Sequence, residues 1–379
     1  MNSPAMWMAR ALRLAYRGLY TTDPNPRVGC VLVKQDRLVG EGYHKRAGEP
    51  HAEINALRQA GDNARGATAY VTLEPCAHHG RTGPCAQALI DAGVTEVVAA
   101  MQDPNSQVAG KGFAQLETAG IMVGWGLLEE EARALNPGFI SRMSRGRPYV
   151  RLKMAMSLDG RTAMSSGESQ WITGPAARTQ VQRLRARSSA VVSGIDSIIF
   201  DDSRLTVRAE QLQLNDAESI ASRQPLRVIL DSHLRMPLAA ACLREPGRTL
   251  VMTCQQDDDR RQSLIEAGAD VVVLPAGKDG RVGLVALMEY LASEEQINEV
   301  LLETGATLAG AMLDEELVDE MQLFLAPTLL GGEARPLFAL PGLETMAQRR
   351  GLEIIDIRAV GNDWRITARP KPAGASRRA

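Results

Sequence analysis

No apolar run in this chain approaches the ~20 residues needed to cross a bilayer. The opening Met-Asn-Ser-Pro-Ala-Met-Trp-Met-Ala-Arg lacks the charged-then-apolar order of a secretory leader. Aromatic residues are 4% of the total, too few for the stacking platforms that grip single-stranded nucleic acid. The formal charge is only −2, so no strong global field draws the chain to nucleic acid or to a membrane surface. The 5 cysteines, an odd number, suit a reducing compartment better than a disulfide framework. Gly-x-Gly-x-x-Gly is absent, and with it the ordinary dinucleotide fingerprint. Internal repeats are absent as well. What remains is a cytoplasmic globular enzyme, with neither nucleic acid nor membrane as a partner.

At 379 residues the chain is long enough for two or three domains, and 45% hydrophobic with 23% charged residues is a globular composition. Helices are expected over 4–20, 54–60, 84–92, 111–118 and 127–135, with strands over 28–34, 38–43, 69–73, 96–101 and 121–125. Alternating strands and helices imply an α/β fold, a sheet covered by helices on both faces. The polar stretch Ser144-Arg145-Gly146-Arg147-Pro148 reads as a linker, which gives domains of 1–146 and 147–379. The second domain is expected to be α/β too. Its strands fall near 149–156, 191–192, 226–230, 249–253, 271–274 and 300–302, with helices near 175–187, 257–267, 282–292 and 308–317. Residues 370–379, rich in Pro, Gly, Ala and Arg, read as a disordered tail.

Four of the 5 histidines and three of the 5 cysteines precede residue 86. Among them, His51-Ala52-Glu53 is followed by Pro75-Cys76 and Pro84-Cys85. Catalytic zinc takes three protein ligands and leaves one position open. It also needs a base outside the ligand set. His51, Cys76 and Cys85 as ligands and Glu53 as base follow the order found in zinc deaminases of nucleobases. Taken singly, each residue has a plainer reading: a structural histidine, or cysteines serving as small buried apolar residues. The segment between the cysteines, Ala-His-His-Gly-Arg-Thr-Gly-Pro, is longer than the common two-residue spacing. It would set His78, His79 and Arg81 at the mouth of the site, or be a solvated loop.

In the second half, Glu303-Thr304-Gly305-Ala306-Thr307-Leu308-Ala309-Gly310-Ala311 follows a strand and opens a helix. Free N–H groups there suit a diphosphate, or the segment is an ordinary capped turn. Arg185 and Arg208 could fork onto a phosphate or be solvated charge. Lys153 lies in an apolar strand, where an unpaired ammonium is costly, which favours a functional role. Asp201 is either catalytic or a capping residue.

His51-Ala52-Glu53, Leu73-Glu74-Pro75-Cys76 through Pro84-Cys85, and Met101-Gln102-Asp103-Pro104-Asn105 together resemble the bifunctional deaminase–reductase family of riboflavin biosynthesis. Leu152 to Gly160, Ser169 to Thr173 and Asp201 to Arg208 resemble its reductase half. The resemblance spans roughly residues 5–368, and the long interval between the cysteines belongs to it. Gly83 and Ser203 stand where the family usually has proline. Ser197 stands where it has threonine, which keeps the hydroxyl.

The resemblance implies a cytidine-deaminase-like three-layer domain followed by a dihydrofolate-reductase-like domain, with Zn2+ and NADPH as cofactors. It places Asn25, His44, His78 and Arg81 at the deaminase substrate. It places Ser169, Arg185, Leu205, Arg208 and Glu303 at the reductase substrate. Ala155, Trp171, Ser197, Asp201, Ser232 and Gly305 to Ala311 (Gly305, Ala306, Thr307, Leu308, Ala309, Gly310, Ala311) fall near the cofactor. Lys153 or Asp201 would handle protons. The implied partners are small pyrimidine ribonucleotides, and the implied assembly is a homodimer. Two rivals remain: a cytosine or dCMP deaminase with a non-catalytic second domain, and a nucleic-acid-binding module with structural zinc.

Overall fold

The computed structural model describes residues 3–77, 83–106 and 108–372. The chain divides into two compact units, Met1–Arg147 and Pro148–Ala379.

The first unit is built on a five-stranded sheet. Its order runs Arg37–Tyr43, Gly29–Lys34, Thr68–Val71, Glu96–Ala99, Met122–Trp125. The first two neighbour pairs are antiparallel and the last two parallel. Gly29–Lys34 is buried on both faces, because successive side chains of a strand point opposite ways. Cys30 and Leu32 pack with Ala52, Ala56, Leu89 and Leu116. Val31 and Val33 pack on the other side with Trp7, Met8, Ala11 and Tyr70.

Helix Pro4–Tyr16 lays Trp7, Met8, Ala11, Leu14 and Ala15 on one face, and Ser3 caps its start. It stops four residues before the expected position 20. There the Arg17 and Gly18 N–H groups turn to the Leu14 and Ala15 carbonyls, both at 3.0 Å, in tighter i→i−3 bonds.

Helix Ala52–Ala60, which carries the expected base Glu53 and is entered from the expected ligand His51, sits almost directly on the Arg37–Tyr43 strand. A β-carbon on Gly42 would lie 2.6 Å from the Ala52 carbonyl oxygen, and one on Gly40 only 2.4 Å from that of Ala56. Glycine is what lets the two backbones approach. Ser144 and Arg145, expected in a linker, instead close a further helix, Pro137–Arg145. Asn136 starts it by pairing both side-chain ends with the Arg27 backbone, at 2.8 and 2.9 Å. Gly146, left-handed at φ 65°, stops it.

The second unit holds a nine-stranded sheet. From the edge, the order is Asp270–Val273, Thr249–Thr253, Leu226–Leu230, Ala190–Gly194, Glu299–Glu303, Tyr149–Ser157, Glu320–Ala326, Asp363–Pro370, Leu352–Val360. The first seven are parallel and the last two antiparallel. Leu152, Val192, Leu230 and Leu302 face one core, and Val191, Ile229, Val251 and Leu301 the other. Arg151 is buried in the sheet between Glu299 at 2.9 Å and Glu320 at 2.6 Å, a cross-strand ion network that joins three adjacent strands.

Glu320–Ala326 and the terminal hairpin were not expected. Leu352–Val360 is exposed along nearly its whole length, so no core-facing alternation marks it. The tail begins later than expected. Pro370 pairs with Leu352, and the Lys371 N–H donates to the Gly351 carbonyl at 2.9 Å. Residues 373–379 lie outside the described residues.

Candidate active sites

His51 holds an extended conformation (φ −68°, ψ 168°) at the head of the Ala52–Ala60 helix. The Asn55 side-chain amide ties that entry down, donating to the Tyr43 carbonyl at 3.0 Å and the Pro50 carbonyl at 3.2 Å. Cys76 follows the Thr68–Val71 strand, and Cys85 opens the Cys85–Asp91 helix. The Ala86 N–H reaches back to the Cys76 carbonyl at 3.2 Å and holds the two turns together.

His51 Nδ1 thereby lies 3.8 Å from Cys76 Sγ and 3.3 Å from Cys85 Sγ. All three donor atoms fall within 4.8 Å of one another, the only such group of three or more metal-donor residues among the described residues. Tetrahedral Zn2+ with bonds of ~2.0 Å to nitrogen and ~2.3 Å to sulfur spaces such donors ~3.5–3.8 Å apart. The donor set therefore fits zinc in both chemistry and span.

The electrostatics point the same way. The Cys85 hydrogen bond pulls the Cys76 thiol down to about 4, with His51 helping. The bond to Cys76 and burial hold the Cys85 thiol far up. Two adjacent buried thiolates are tolerable only with a cation between them. The Cys85 N–H donates to Cys76 Sγ at 3.3 Å, as a thiolate favours. Glu53 is 4% exposed and stands outside the donor trio. Burial, then Cys76, lifts its carboxyl to about 7. A group balanced near neutrality can take a proton and return it.

His44 is buried, and its ring stands edge-on to that of His51, with centroids 5.2 Å apart. Its Nδ1–H donates to the Pro50 carbonyl at 3.2 Å, which leaves Nε2 to accept from Asn25 Nδ2 at 3.1 Å. Burial lowers the His44 pKa and keeps this neutral form. Asn25 and His44 thus come together beside the metal group. His78 and Arg81, expected at the mouth, lie outside the described residues.

In the second unit, Lys153 and Glu303 are register partners on adjacent parallel strands. Arg185 meets the same carboxylate with Nε at 2.6 Å and Nη2 at 2.9 Å, and its Nη1 donates to the Thr206 carbonyl at 3.0 Å. The Arg185 fork is therefore occupied within the protein rather than free to fork onto a phosphate. Burial depresses the Lys153 pKa, with Glu303 opposing and Arg185 adding to the shift.

Around this cluster, Leu205 is buried in a left-handed conformation (φ 56°), and the Arg208 N–H is held by Gln182 at 2.9 Å. The Ser169 hydroxyl donates to Asp201 at 3.3 Å. Ala155 is half-buried, three positions beyond the buried Leu152 on the same strand, and Ser197 lies in helix Ile195–Asp201. Trp171 is largely exposed, with the Arg178 guanidinium 4.7 Å from its ring centre. Ser232 Oγ accepts from the Val282 N–H at 3.0 Å.

The Gly305 to Ala311 segment does not act as one unit. Helix Ala306–Asp314 starts two residues before the expected 308 and ends three before 317. Gly305, Ala306, Thr307 and Leu308 form its open first turn, whereas Ala309 and Gly310 turn inward. A β-carbon on Gly310 would meet the Ala339 carbonyl at 1.8 Å, so that face is committed to packing. Sequence reasoning also passed over Glu74 and Thr206. A carboxylate directly ahead of Pro75-Cys76 at the end of an apolar run was the available signal for Glu74. Thr206 acts through its backbone and gives none.

Residues 1–101 match the cytidine and deoxycytidylate deaminase zinc-binding region. Residues 148–366 match the RibD C-terminal domain. The chain is 51% identical to riboflavin biosynthesis protein RibD of Escherichia coli K12, over 94% of this chain and 96% of the other. It is 48% identical to that of Haemophilus influenzae, over 98% of each. Among solved structures, Acinetobacter baumannii RibD superposes with a TM-score of 0.89 at 51% identity, covering 97% of this chain and 98% of that one. The deaminase/reductase of Thermotoga maritima superposes at 0.82 with 31% identity over the same shares. The chain therefore belongs to the RibD family of riboflavin biosynthesis, bifunctional enzymes that join a zinc-binding deaminase to a reductase.

Proposed function

We propose that residues 1–147 deaminate 2,5-diamino-6-ribosylamino-4(3H)-pyrimidinone 5′-phosphate, and that residues 148–379 then reduce its ribosyl group with NADPH, giving 5-amino-6-ribitylaminouracil 5′-phosphate. The observation that carries the first step is the convergence of His51 Nδ1, Cys76 Sγ and Cys85 Sγ beside a buried carboxylate that is not one of them. His51, Cys76 and Cys85 would hold zinc, whose chemistry there would be to make a water acidic enough to react at neutral pH. Glu53 accepts a proton from that water as its oxygen bonds to the ring carbon bearing the exocyclic amine. Glu53 passes that proton to the ring nitrogen, then takes the second from the new hydroxyl as the carbonyl forms and gives it to the departing ammonia. Asn25, oriented by His44, meets the pyrimidine; for His78 and Arg81 the substrate role rests on the family resemblance alone.

For the second step a nicotinamide bound in this unit would be the source of the hydride that C1′ needs. The chain's task is to align donor and acceptor and to give a proton to the ring oxygen as the sugar opens. Lys153, beside Glu303 and Arg185, is suited to that proton, with Asp201 the second candidate. Ser169, Leu205 and Arg208 meet the substrate, while Arg185 acts by holding Glu303. Trp171, Ala155, Ser197, Asp201, Ser232 and the open first turn at Gly305–Leu308 face the cofactor.

The working assembly is a homodimer in the cytoplasm. In support, Leu352–Val360 is the outermost strand of the sheet among the described residues, with Ile354 59% and Ile357 52% exposed.

Metal analysis, ammonia release from the diamino substrate and NADPH consumption with the deaminated pyrimidine test the reading together. Zinc at one per chain and both activities are expected. Deamination without any NADPH consumption would overturn the second step.

A further inference from the structure

We infer that Glu74 is a positioning residue for the metal ligand Cys76, acting as the peg on which Asp103 and the start of helix Lys111–Thr118 are hung. The inference rests on the zinc reading above. Glu74 is 4% exposed, and a buried carboxylate needs donors. It takes three, all from backbone: Oε1 accepts from Gly112 N–H at 2.9 Å, and Oε2 from Asp103 N–H at 3.1 Å and Gly110 N–H at 3.0 Å.

Gly110, which precedes helix Lys111–Thr118, contributes no side-chain cap. Glu74 fills that role from a distance, placing its negative charge against first-turn N–H groups that would otherwise be orphaned. Its own N–H donates to the Met101 carbonyl at 2.9 Å. One residue on, the Pro75 carbonyl presses against Gly112 so closely that a β-carbon there would lie 1.9 Å from the oxygen. The chain is therefore gripped at Glu74 and at Pro75, immediately before Cys76. The Cys76 sulfur takes its position 3.8 Å from His51 Nδ1 from the backbone so held, from the Ala86 N–H on the Cys76 carbonyl and from the Cys85 N–H on the sulfur itself.

Glu74→Gln keeps the shape but replaces one acceptor with an NH2 donor facing backbone N–H groups. Removing such outer support of a metal ligand typically weakens metal affinity about 10- to 100-fold. The full-length protein is to be compared with Glu74→Gln and Gly112→Ala, the latter driving a β-carbon into the Pro75 carbonyl and against Glu74 Cγ while leaving the carboxylate chemically intact. The readouts are zinc affinity by chelator competition, the absorption spectrum of the cobalt(II) form, and NADPH consumption. Weaker zinc binding by that factor, a perturbed sulfur-to-cobalt band and undiminished NADPH consumption are expected in both variants. A wild-type chain that binds no zinc would sink the zinc reading itself. If wild type binds, either folded variant holding zinc as tightly with an unchanged cobalt spectrum overturns the inference. Unfolding of the first unit in both variants with zinc in excess also overturns it, because the role would then belong to the fold and not to the ligand.

Discussion

Arg185 closes both arms of its guanidinium on Glu303, Nε to Oε1 at 2.6 Å and Nη2 to Oε2 at 2.9 Å, with side chains only 13% and 10% exposed. A buried, bidentate pair of this kind is strong against loss of one partner, since the other is left charged and alone. Glu303→Gln should therefore destabilise the second unit by about 3–5 kcal/mol. Denaturant unfolding followed by a probe in the second unit measures it. Ammonia release, which depends on the first unit, should persist in the same variant. Loss of less than about 1 kcal/mol, the scale of an exposed pair, would mean that the pair is solvated in practice.

Lys153 gives a pH prediction. Its pKa is lowered, burial being the main cause. Between the lowered value and the ordinary 10.5 the unfolded chain holds a proton that the folded one lacks, so stability rises with pH across that window. Lys153→Met should abolish that rise. If protonated Lys153 is the acid that opens the sugar, reductase kcat/KM falls as pH climbs through the same lowered value. A profile flat up to the ordinary lysine range would assign the proton elsewhere.

Glu53→Gln should leave zinc content and NADPH consumption intact, while ammonia release drops by about 10²–10⁴, the span general acid–base groups contribute. Equal loss of zinc would mean that the carboxylate holds the metal rather than moving protons.

Asn25 donates to a His44 nitrogen that can only accept while the ring stays neutral. Asn25→Asp sets acceptor against acceptor unless His44 gains a proton, which its burial opposes. Deaminase activity should fall about tenfold or more, the cost of one lost hydrogen bond to a charged or buried group. The loss should ease as pH drops and His44 protonates. A pH-independent loss would place Asn25 in direct substrate contact alone.

The exposed edge strand predicts a dimer. Ile354→Lys with Ile357→Lys should shift sedimentation toward the monomer, because charges on an edge oppose strand pairing. An unchanged species would locate the contact elsewhere.

The metal chemistry was legible in the chain because His51, Cys76 and Cys85 each sit at a local landmark, a proline followed by a helix start or a strand end. The alternating strands and helices of both units were legible for the same reason: short-range periodicity reports burial. The strand Leu352–Val360 was not, since a strand exposed on both faces carries no core-facing pattern. Nor was the segment Gly305–Ala311 divisible by eye into its open turn and its packed face. That division depends on Ala339, a residue far along the chain.

What the sequence alone determined is which atoms can bind a metal, which acid stands beside them, and which family of folds carries them; these depend on residue type and on near neighbours. What only the tertiary structure decided is which charges meet. Lys153 stands abreast of Glu303 because two strands whose register partners lie 150 residues apart pair side by side, and Arg185 reaches the same acid from helix Pro175–Arg187. Glu74 finds its three donors at Asp103, 29 positions later, and at the start of helix Lys111–Thr118. Such pairings are fixed by the requirement that every buried charge be answered, and the chain can meet it only after the sheets have formed.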